Sequence, residues 1–272
     1  MSSTPQDVYT HGHAEPVLRS HRWRTAANSA AHLLPRLEPF HRVLDLGCGP
    51  GTISADLAAL VPDGFVIGVD RAPEIIETTT PSTNLSFEVG DVYDLAFDDA
   101  SFDVVHAHQV LQHLPDPAAA LSELRRVLVP GGILAVRDSD YSAFVWTPDE
   151  PMLEQWRETY LAVCRANGAE PNAGRHLGRW VRDAGFTDVE HTSSTWTYDG
   201  SDARWWGDLW SDRLLSTRFG EQVVDEGLAS TSDVAEMAAA WRRWGASPDA
   251  VIFIVHGDVM AVNGGDPASV RR

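Results

Sequence analysis

The sequence predicts an α/β fold built on a doubly wound, mostly parallel β-sheet with helices on both faces. Two observations support this. Short apolar runs alternate with helical patterns from about residue 42 to residue 138, and the first run ends in the glycine-rich turn GCGPG at residues 47–51. Alternating strands and helices favour a parallel sheet. Ligands of such sheets bind beyond the carboxyl ends of the strands, where this turn is expected to lie.

Each core element has a local signature. The predicted strands are short apolar runs rich in β-branched residues, and the predicted helices repeat apolar residues every three to four positions. The strands are predicted over residues 42–47, 65–70, 85–91, 102–108 and 131–140, and the helices between them over residues 52–61, 73–80 and 117–129.

The rest of the chain is predicted to cover this core. Residues 5–36, 145–170 and 200–248 have helical patterns, and Gly185 ends an amphipathic helix that begins at residue 174. Two alternating segments are expected to pair like a hairpin at the sheet edge, over residues 188–198 and 251–262. The predicted units are an N-terminal helical lid (1–36), a core with a helical insertion at about 145–170 (37–198), a helical substrate cap (199–249) and a last strand with a tail (250–272).

Composition excludes several functions. The 272 residues carry a formal net charge of −18, with a sequence pI near 4.8. Nucleic-acid binding needs clustered cations, so this balance argues against it, and it fits an anionic membrane surface poorly. No run approaches the roughly 18 apolar residues of a membrane span. Residues 1–10 lack the pattern of a secretion signal, and Cys48 and Cys164 make no disulfide framework. We therefore expect a cytoplasmic protein.

The glycine turn favours a cationic ligand. Gly47, Gly49 and Gly51 spell G-x-G-x-G, whereas dinucleotide binders favour G-x-G-x-x-G around a pyrophosphate. Asp45, two residues before the first glycine, would repel a pyrophosphate and suits a ligand that carries an ammonium group and no phosphate. S-adenosylmethionine (SAM) is such a ligand.

Two further acids follow the next two strands. Asp70 ends the second strand and can accept both ribose hydroxyls, a feature shared with NAD-binding proteins. Asp91 follows the third strand, where its carboxylate can accept from an adenine amino group while the Val92 amide donates to the ring. Acids at the ends of three successive strands, with the glycine turn, form a specific pattern.

In this arrangement the chain resembles a class I SAM-dependent methyltransferase, of the group with ubiquinone/menaquinone-type and small-molecule or sugar O-methyltransferases. The matching segments are VLDLGCGPGT, GVD, GDV, FDVVHAHQVLQHLPDP, LRRVLVPGGIL and GRHLGRWVRDAGF, which span about residues 40–190. The resemblance implies a seven-stranded, Rossmann-like sheet whose last strand is antiparallel. It also implies that His106 offers its backbone carbonyl to the ammonium group. The expected cofactor-binding residues are Tyr9, Arg24, Asp45, Gly47, Cys48, Gly49, Asp70, Arg71, Gly90, Asp91, Val92 and His106.

The catalytic candidates are His113 and Asp138. A histidine and an aspartate at the matching positions are implicated in related sugar O-methyltransferases. Those relatives often carry two adjacent histidines, whereas Gln112 stands first here. A pKa near ~6.5 would let His113 titrate in a useful range. Alternatively, His113 holds a loop by hydrogen bonds and Asp138 caps a turn.

The helical cover suggests the kind of substrate. In the lid, Arg24 is expected to pair with the methionine carboxylate and Tyr9 to pack near the sulfonium, unless this segment is only a docked amphipathic helix. In the cap, Trp205, Trp206 and Trp210 favour a small hydrophobic or aromatic acceptor, unless they fill a core.

Three classes of function remain open. The favoured one is methyl transfer from SAM to O, N or C of a small molecule, by a monomer or homodimer. The alternatives are a nicotinamide-dependent oxidoreductase and a non-catalytic SAM-binding protein. No bound metal is expected, because the histidines lack a matching acid at ligand spacing, and two cysteines are too few for arsenic methylation.

Overall fold

The computed structural model describes residues 23–264, and a mixed eight-stranded sheet runs through it. The strand order is β3-β2-β1-β4-β5-β8, and both β6 and β7 pair with β8. The strands are β1 (Arg42–Leu46), β2 (Phe65–Asp70), β3 (Leu85–Val89), β4 (Phe102–His108), β5 (Leu128–Ser139), β6 (Val145–Thr147), β7 (Thr187–Asp199) and β8 (Val251–Val262).

The sheet topology brings four strand ends to one edge. β1 lies between β2 and β4, and the pairs from β3 to β5 are all parallel. β8 runs antiparallel to β5 and to β7, which confirms the Rossmann-like prediction with an antiparallel last strand. The sheet has eight strands and not the predicted seven, because residues 145–147 add the short strand β6. The carboxyl ends of β1 to β4 therefore meet beside the glycine turn.

The helices cover this sheet and build the cap. They are α1 (Ala26–Ser29), α2 (Thr52–Leu60), α3 (Pro73–Ile76), α4 (Pro117–Val127), α5 (Pro151–Ala166), α6 (Ala173–Asp183), α7 (Gly200–Ser216), α8 (Arg218–Asp225) and α9 (Thr231–Gly245). No helix within residues 23–264 is long and apolar enough to cross a bilayer.

Two predicted boundaries were wrong. The helix expected over residues 73–80 is only α3, because Thr78 and Thr79 turn their hydroxyls back to the carbonyls of Ile75 and Ile76, each at 2.7 Å. Such side-chain bonds compete with helix continuation. The helix expected from residue 145 begins at Pro151, because residues 145–147 form the short strand β6 on β8.

The cap has an apolar core of its own. Trp156 on α5 packs edge-on against Trp210 of α7 and Trp241 of α9, with ring centroids 4.5 Å and 4.8 Å apart. All three rings are fully buried, so they contribute large apolar area to packing. This aromatic cluster therefore joins the cap helices α7 and α9 to α5, and the same apolar core includes Tyr198 of β7 and Ile252 of β8.

Candidate functional site

The glycine turn between β1 and α2 admits no larger residue at two positions. Gly47 and Gly51 have left-handed φ angles of +63° and +81°. A Cβ on Gly47 would lie 2.4 Å from Cγ2 of Val110, and one on Gly51 would lie 2.6 Å from Cζ of Phe87. Glycine alone adopts this backbone without strain, so bare backbone faces outward here.

This turn borders a cavity of about 640 Å³ at the carboxyl ends of the first strands. Its walls bring together most of the predicted site residues, which the sequence spreads over nearly 90 positions. The predicted residues that line it are Arg24, Asp45, Gly47, Cys48, Gly49, Asp70, Arg71, Gly90, Asp91, Val92 and His113. Tyr9 lies outside the described residues.

Hydrogen bonds orient the three carboxylates of the cavity. Asp70 accepts the backbone N–H groups of Gly49 and Ala72, both at 3.0 Å. Asp45 is buried, accepts the Ser54 hydroxyl at 2.5 Å and lies 2.7 Å from Nδ1 of His106. The exposed Asp91 accepts the N–H of Tyr93 at 3.0 Å. Each carboxylate oxygen can accept a further hydrogen bond, so a cationic nucleoside fits these acids and the bare turn.

His106 lies on the predicted strand but not at its end. It lies two residues before the end of β4, its ring is fully buried beside Asp45, and it does not line the cavity. His108, the last residue of the strand, and Gln109 line the cavity instead. A backbone carbonyl offered to an ammonium group would come from this strand end.

His113 lines the cavity as a half-buried ring in the 3-10 helix Leu111–His113. Burial, and then the positive charge of Arg24, lower the pKa of His113 to about 3. The condition for useful titration, a pKa near 6.5, is therefore not met. The ring is neutral at pH 7, and its conjugate acid is too strong for an efficient general base.

Asp138 is fully buried and does not line the cavity, which contradicts direct contact with an acceptor. Its Oδ1 accepts the backbone N–H of Gln112 at 3.3 Å, and its Oδ2 has no hydrogen-bond partner in residues 23–264. Burial raises the pKa of Asp138 to about 8. The turn-capping alternative describes this residue better, because its carboxyl group holds the segment that carries His113.

Replacing Asp138 by asparagine should remove a pH dependence of folding. The unfolded chain loses the Asp138 proton near pH 4 and the folded chain near pH 8. In this window the folded state binds more protons, so stability falls as pH rises, by about 1.4 kcal/mol per pH unit. Asp138→Asn keeps the oxygen that accepts from Gln112. From about pH 5 to about pH 8, we expect the melting temperature of Asp138→Asn to rise relative to that of the wild type. A pH-independent difference would contradict the buried neutral carboxyl.

Gln109 and Arg218 are among the cavity residues that the sequence did not predict. Gln109 has a left-handed φ of 55°, receives a hydrogen bond from Arg24 and donates to the Ser139 hydroxyl at 2.7 Å. Arg218, at the start of α8, reaches the cavity from the cap. The sequence signal that could have indicated Gln109 is its position directly after the predicted strand β4. No local pattern marks Arg218.

The cap tryptophans do not form the cavity wall. Trp205, Trp206 and Trp210 are absent from its lining. Trp206 stacks on Tyr198 at 4.8 Å, and Trp210 belongs to the aromatic cluster of the cap. The core-filling alternative is therefore correct. In the lid, Trp23 packs edge-on against Trp196 at 5.3 Å, which places Arg24 at the cavity.

Potential metal ligands are not clustered in the described part of the chain. Within residues 23–264, no group of three or more histidine, cysteine, aspartate or glutamate side chains is arranged to hold a metal ion.

Comparison with known proteins gives a consistent result. The family described as "Methyltransferase domain" matches residues 38–185. An uncharacterized methyltransferase from Schizosaccharomyces pombe is 32% identical, over 94% of this chain and 97% of its own length. A demethylmenaquinone methyltransferase from Beutenbergia cavernae is 35% identical, over 59% of this chain and 65% of its own. A phosphoethanolamine N-methyltransferase from Haemonchus contortus, solved with S-adenosylhomocysteine, shares the fold at 19% identity, with a TM-score of 0.56 over 91% of this chain and 57% of its own.

Proposed function

This chain belongs to the methyltransferase domain family and is a SAM-dependent methyltransferase, and from that premise we propose that it methylates a small molecule held in the cavity. One observation carries the proposal. Asp45 is the next-to-last residue of β1, Asp70 ends β2 and Asp91 follows β3, and all three line the same cavity as the bare glycine turn. A cationic nucleoside such as SAM carries a hydrogen-bond donor for each carboxylate: its ammonium group, its ribose hydroxyls and its adenine amino group.

We assign the cofactor contacts from one end of the cavity to the other. Gly47 and Gly49 lie against the methionine moiety and Asp45 faces its ammonium group. Asp70 accepts the ribose hydroxyls, since two backbone N–H groups already fix its orientation. Asp91 and the Val92 amide receive the adenine.

The remaining contacts are assigned to residues around the same wall. Arg24 pairs with the methionine carboxylate, while Cys48, Arg71 and Gly90 lie beside the nucleoside. The carbonyl expected from His106 is assigned to the end of β4, at His108.

SAM supplies, when bound, a methyl group on a sulfonium that is already a good leaving group. The protein therefore contributes mainly by aligning the acceptor and by excluding water. A base is needed only for an acceptor that must lose a proton. With Asp138 behind the wall and the His113 pKa at about 3, neither is a strong base for that step at neutral pH.

The acceptor is proposed to be a small hydrophobic or aromatic metabolite, methylated at O, N or C. Val110 and Leu114 supply apolar lining, and one relative is named for a demethylmenaquinone. The cap tryptophans do not support a hydrophobic acceptor, because they pack in the apolar core of the cap and do not line the cavity.

Two measurements test the proposal. Calorimetric titration should show binding of SAM and no binding of NAD, because Asp45 opposes a pyrophosphate. Incubation with methyl-labelled SAM and a metabolite extract should then label a small molecule. Binding of NAD alone would favour an oxidoreductase. Binding of SAM without any labelled product would favour a non-catalytic SAM-binding protein.

A further inference from the structure

Gln112 connects His113 to the end of β5. Its side chain is buried, and the backbone N–H of Ser139 donates to its Oε1 at 3.0 Å. A backbone N–H can only donate, so the side-chain atom beside it must be the oxygen. This contact fixes which end of the Gln112 amide is Nε2.

The other end of the amide determines the state of the His113 ring. Nε2 of Gln112 lies 3.0 Å from Nε2 of His113. An amide nitrogen has hydrogens and accepts no hydrogen bond, so the ring nitrogen must accept with its lone pair. A neutral imidazole that accepts at Nε2 carries its proton on Nδ1.

The backbone of Gln112 is fixed as firmly as its side chain. Its N–H donates to Asp138 at 3.3 Å, and its carbonyl accepts the N–H of Glu170 at 2.9 Å. Main-chain and side-chain groups thus all have partners, and they tie the residue to β5 and to the turn before α6. These contacts oppose a reversal of the amide, because reversal would set the donor Nε2 against the donor N–H of Ser139.

We propose that Gln112 is a positioning residue that holds His113 with its ring proton on Nδ1, so that His113 acts as a hydrogen-bond donor and not as a general base. The inference rests on the proposed function and deepens it. With its Nε2 lone pair engaged by Gln112, His113 does not take a proton from the acceptor at that nitrogen. The acceptor must then reach the methyl group as a nucleophile that His113 need not deprotonate.

The tautomer can be read directly from histidine ¹⁵N spectra. In the full-length protein labelled with ¹⁵N-histidine, long-range ¹H–¹⁵N correlations distinguish the protonated from the unprotonated ring nitrogen. The His113 signals are identified by their loss in His113→Asn. At neutral pH we expect Nδ1 to be protonated and Nε2 to be unprotonated. A proton on Nε2, or on both nitrogens, would overturn the proposal, and this readout requires neither Gln112 variant to fold.

Two variants test whether Gln112 sets this tautomer. Gln112→Glu keeps the shape, but the introduced carboxylate only accepts, so the ring proton should move to Nε2. Gln112→Met removes the donor at similar volume and should let the Nε2-protonated form appear. Gln155→Glu, the same change on α5, should leave the His113 spectrum as it is. If both Gln112 variants keep the wild-type pattern, Gln112 does not position the ring.

These spectra separate the inference from the proposed function. A protein that binds no SAM but carries the His113 proton on Nδ1 would refute the function and keep the tautomer. A protein that binds SAM and labels a small molecule, but carries the His113 proton on Nε2, would support the function and refute the tautomer.

Discussion

Asp70→Ala is expected to weaken SAM binding by about tenfold or more. The proposed contact of its carboxylate with the ribose is a charge-assisted hydrogen bond worth about 1.5–3 kcal/mol, and each 1.4 kcal/mol is a factor of about ten in affinity. The substitution also leaves the N–H groups of Gly49 and Ala72 without their acceptor, so the turn loses a support. Calorimetric titration with SAM measures the change.

A matched control separates this contact from a change in overall charge. Asp98→Ala removes an exposed carboxylate that does not line the cavity and should leave the affinity for SAM unchanged. Equal affinities of wild type and Asp70→Ala would show that the ribose lies elsewhere. A loss of equal size in Asp98→Ala would show that net charge alone governs binding.

Acidification below neutral pH is expected to unfold the protein steeply. Burial lowers the pKa of His32 and of His113 to about 3, and lowers the pKa of His108 and of His256 well below 6.5. As pH falls through 6.5, the unfolded chain protonates these four rings and the folded chain does not. Stability therefore decreases as pH falls, by about 1.4 kcal/mol per ring and pH unit.

The size of this effect is large compared with the stability of a domain. Asp138 offsets about one of the four protons and leaves a net uptake of about three, because below about pH 8 its carboxyl is protonated in the folded state while the unfolded chain keeps it ionised down to about pH 4. That amounts to about 4 kcal/mol per pH unit, against a typical total of about 5–15 kcal/mol.

Urea denaturation between about pH 7 and about pH 5 measures the slope of this dependence. His256→Gln should reduce the net proton uptake by about one, because it removes one buried ring. His176→Gln, on α6 and outside this group of four rings, is the control and should keep the wild-type slope. A stability that is flat over this range would contradict the neutral buried rings.

The core of the fold and the cofactor wall were predictable because their signals are local. The glycine turn, Asp70 and Asp91 each follow a short apolar run, and parallel strands bring the ends of such runs to one edge. Eleven predicted residues accordingly line one cavity. Periodicity also located β7 and β8, since alternation along a strand is visible in the chain itself.

The features that the sequence did not predict depend on how deeply a residue is buried and on contacts between segments that are distant in the chain. His106 and Asp138 lie on the predicted strands, but their burial is set by the packing of β4 and β5 against their neighbours. The tryptophans of the cap have helical spacing whether they face a ligand or one another, and only the approach of α5, α7 and α9 decides between the two. Arg218 lines the cavity because of how the cap helices pack, which no pattern near residue 218 indicates.

Among the described residues of the cap, Arg218 alone lines the cavity, while the aromatic cluster behind it is independent of the glycine turn. Substitutions at the start of α8 therefore alter one wall of the cavity through a segment that contributes nothing to the glycine turn or to the three carboxylates.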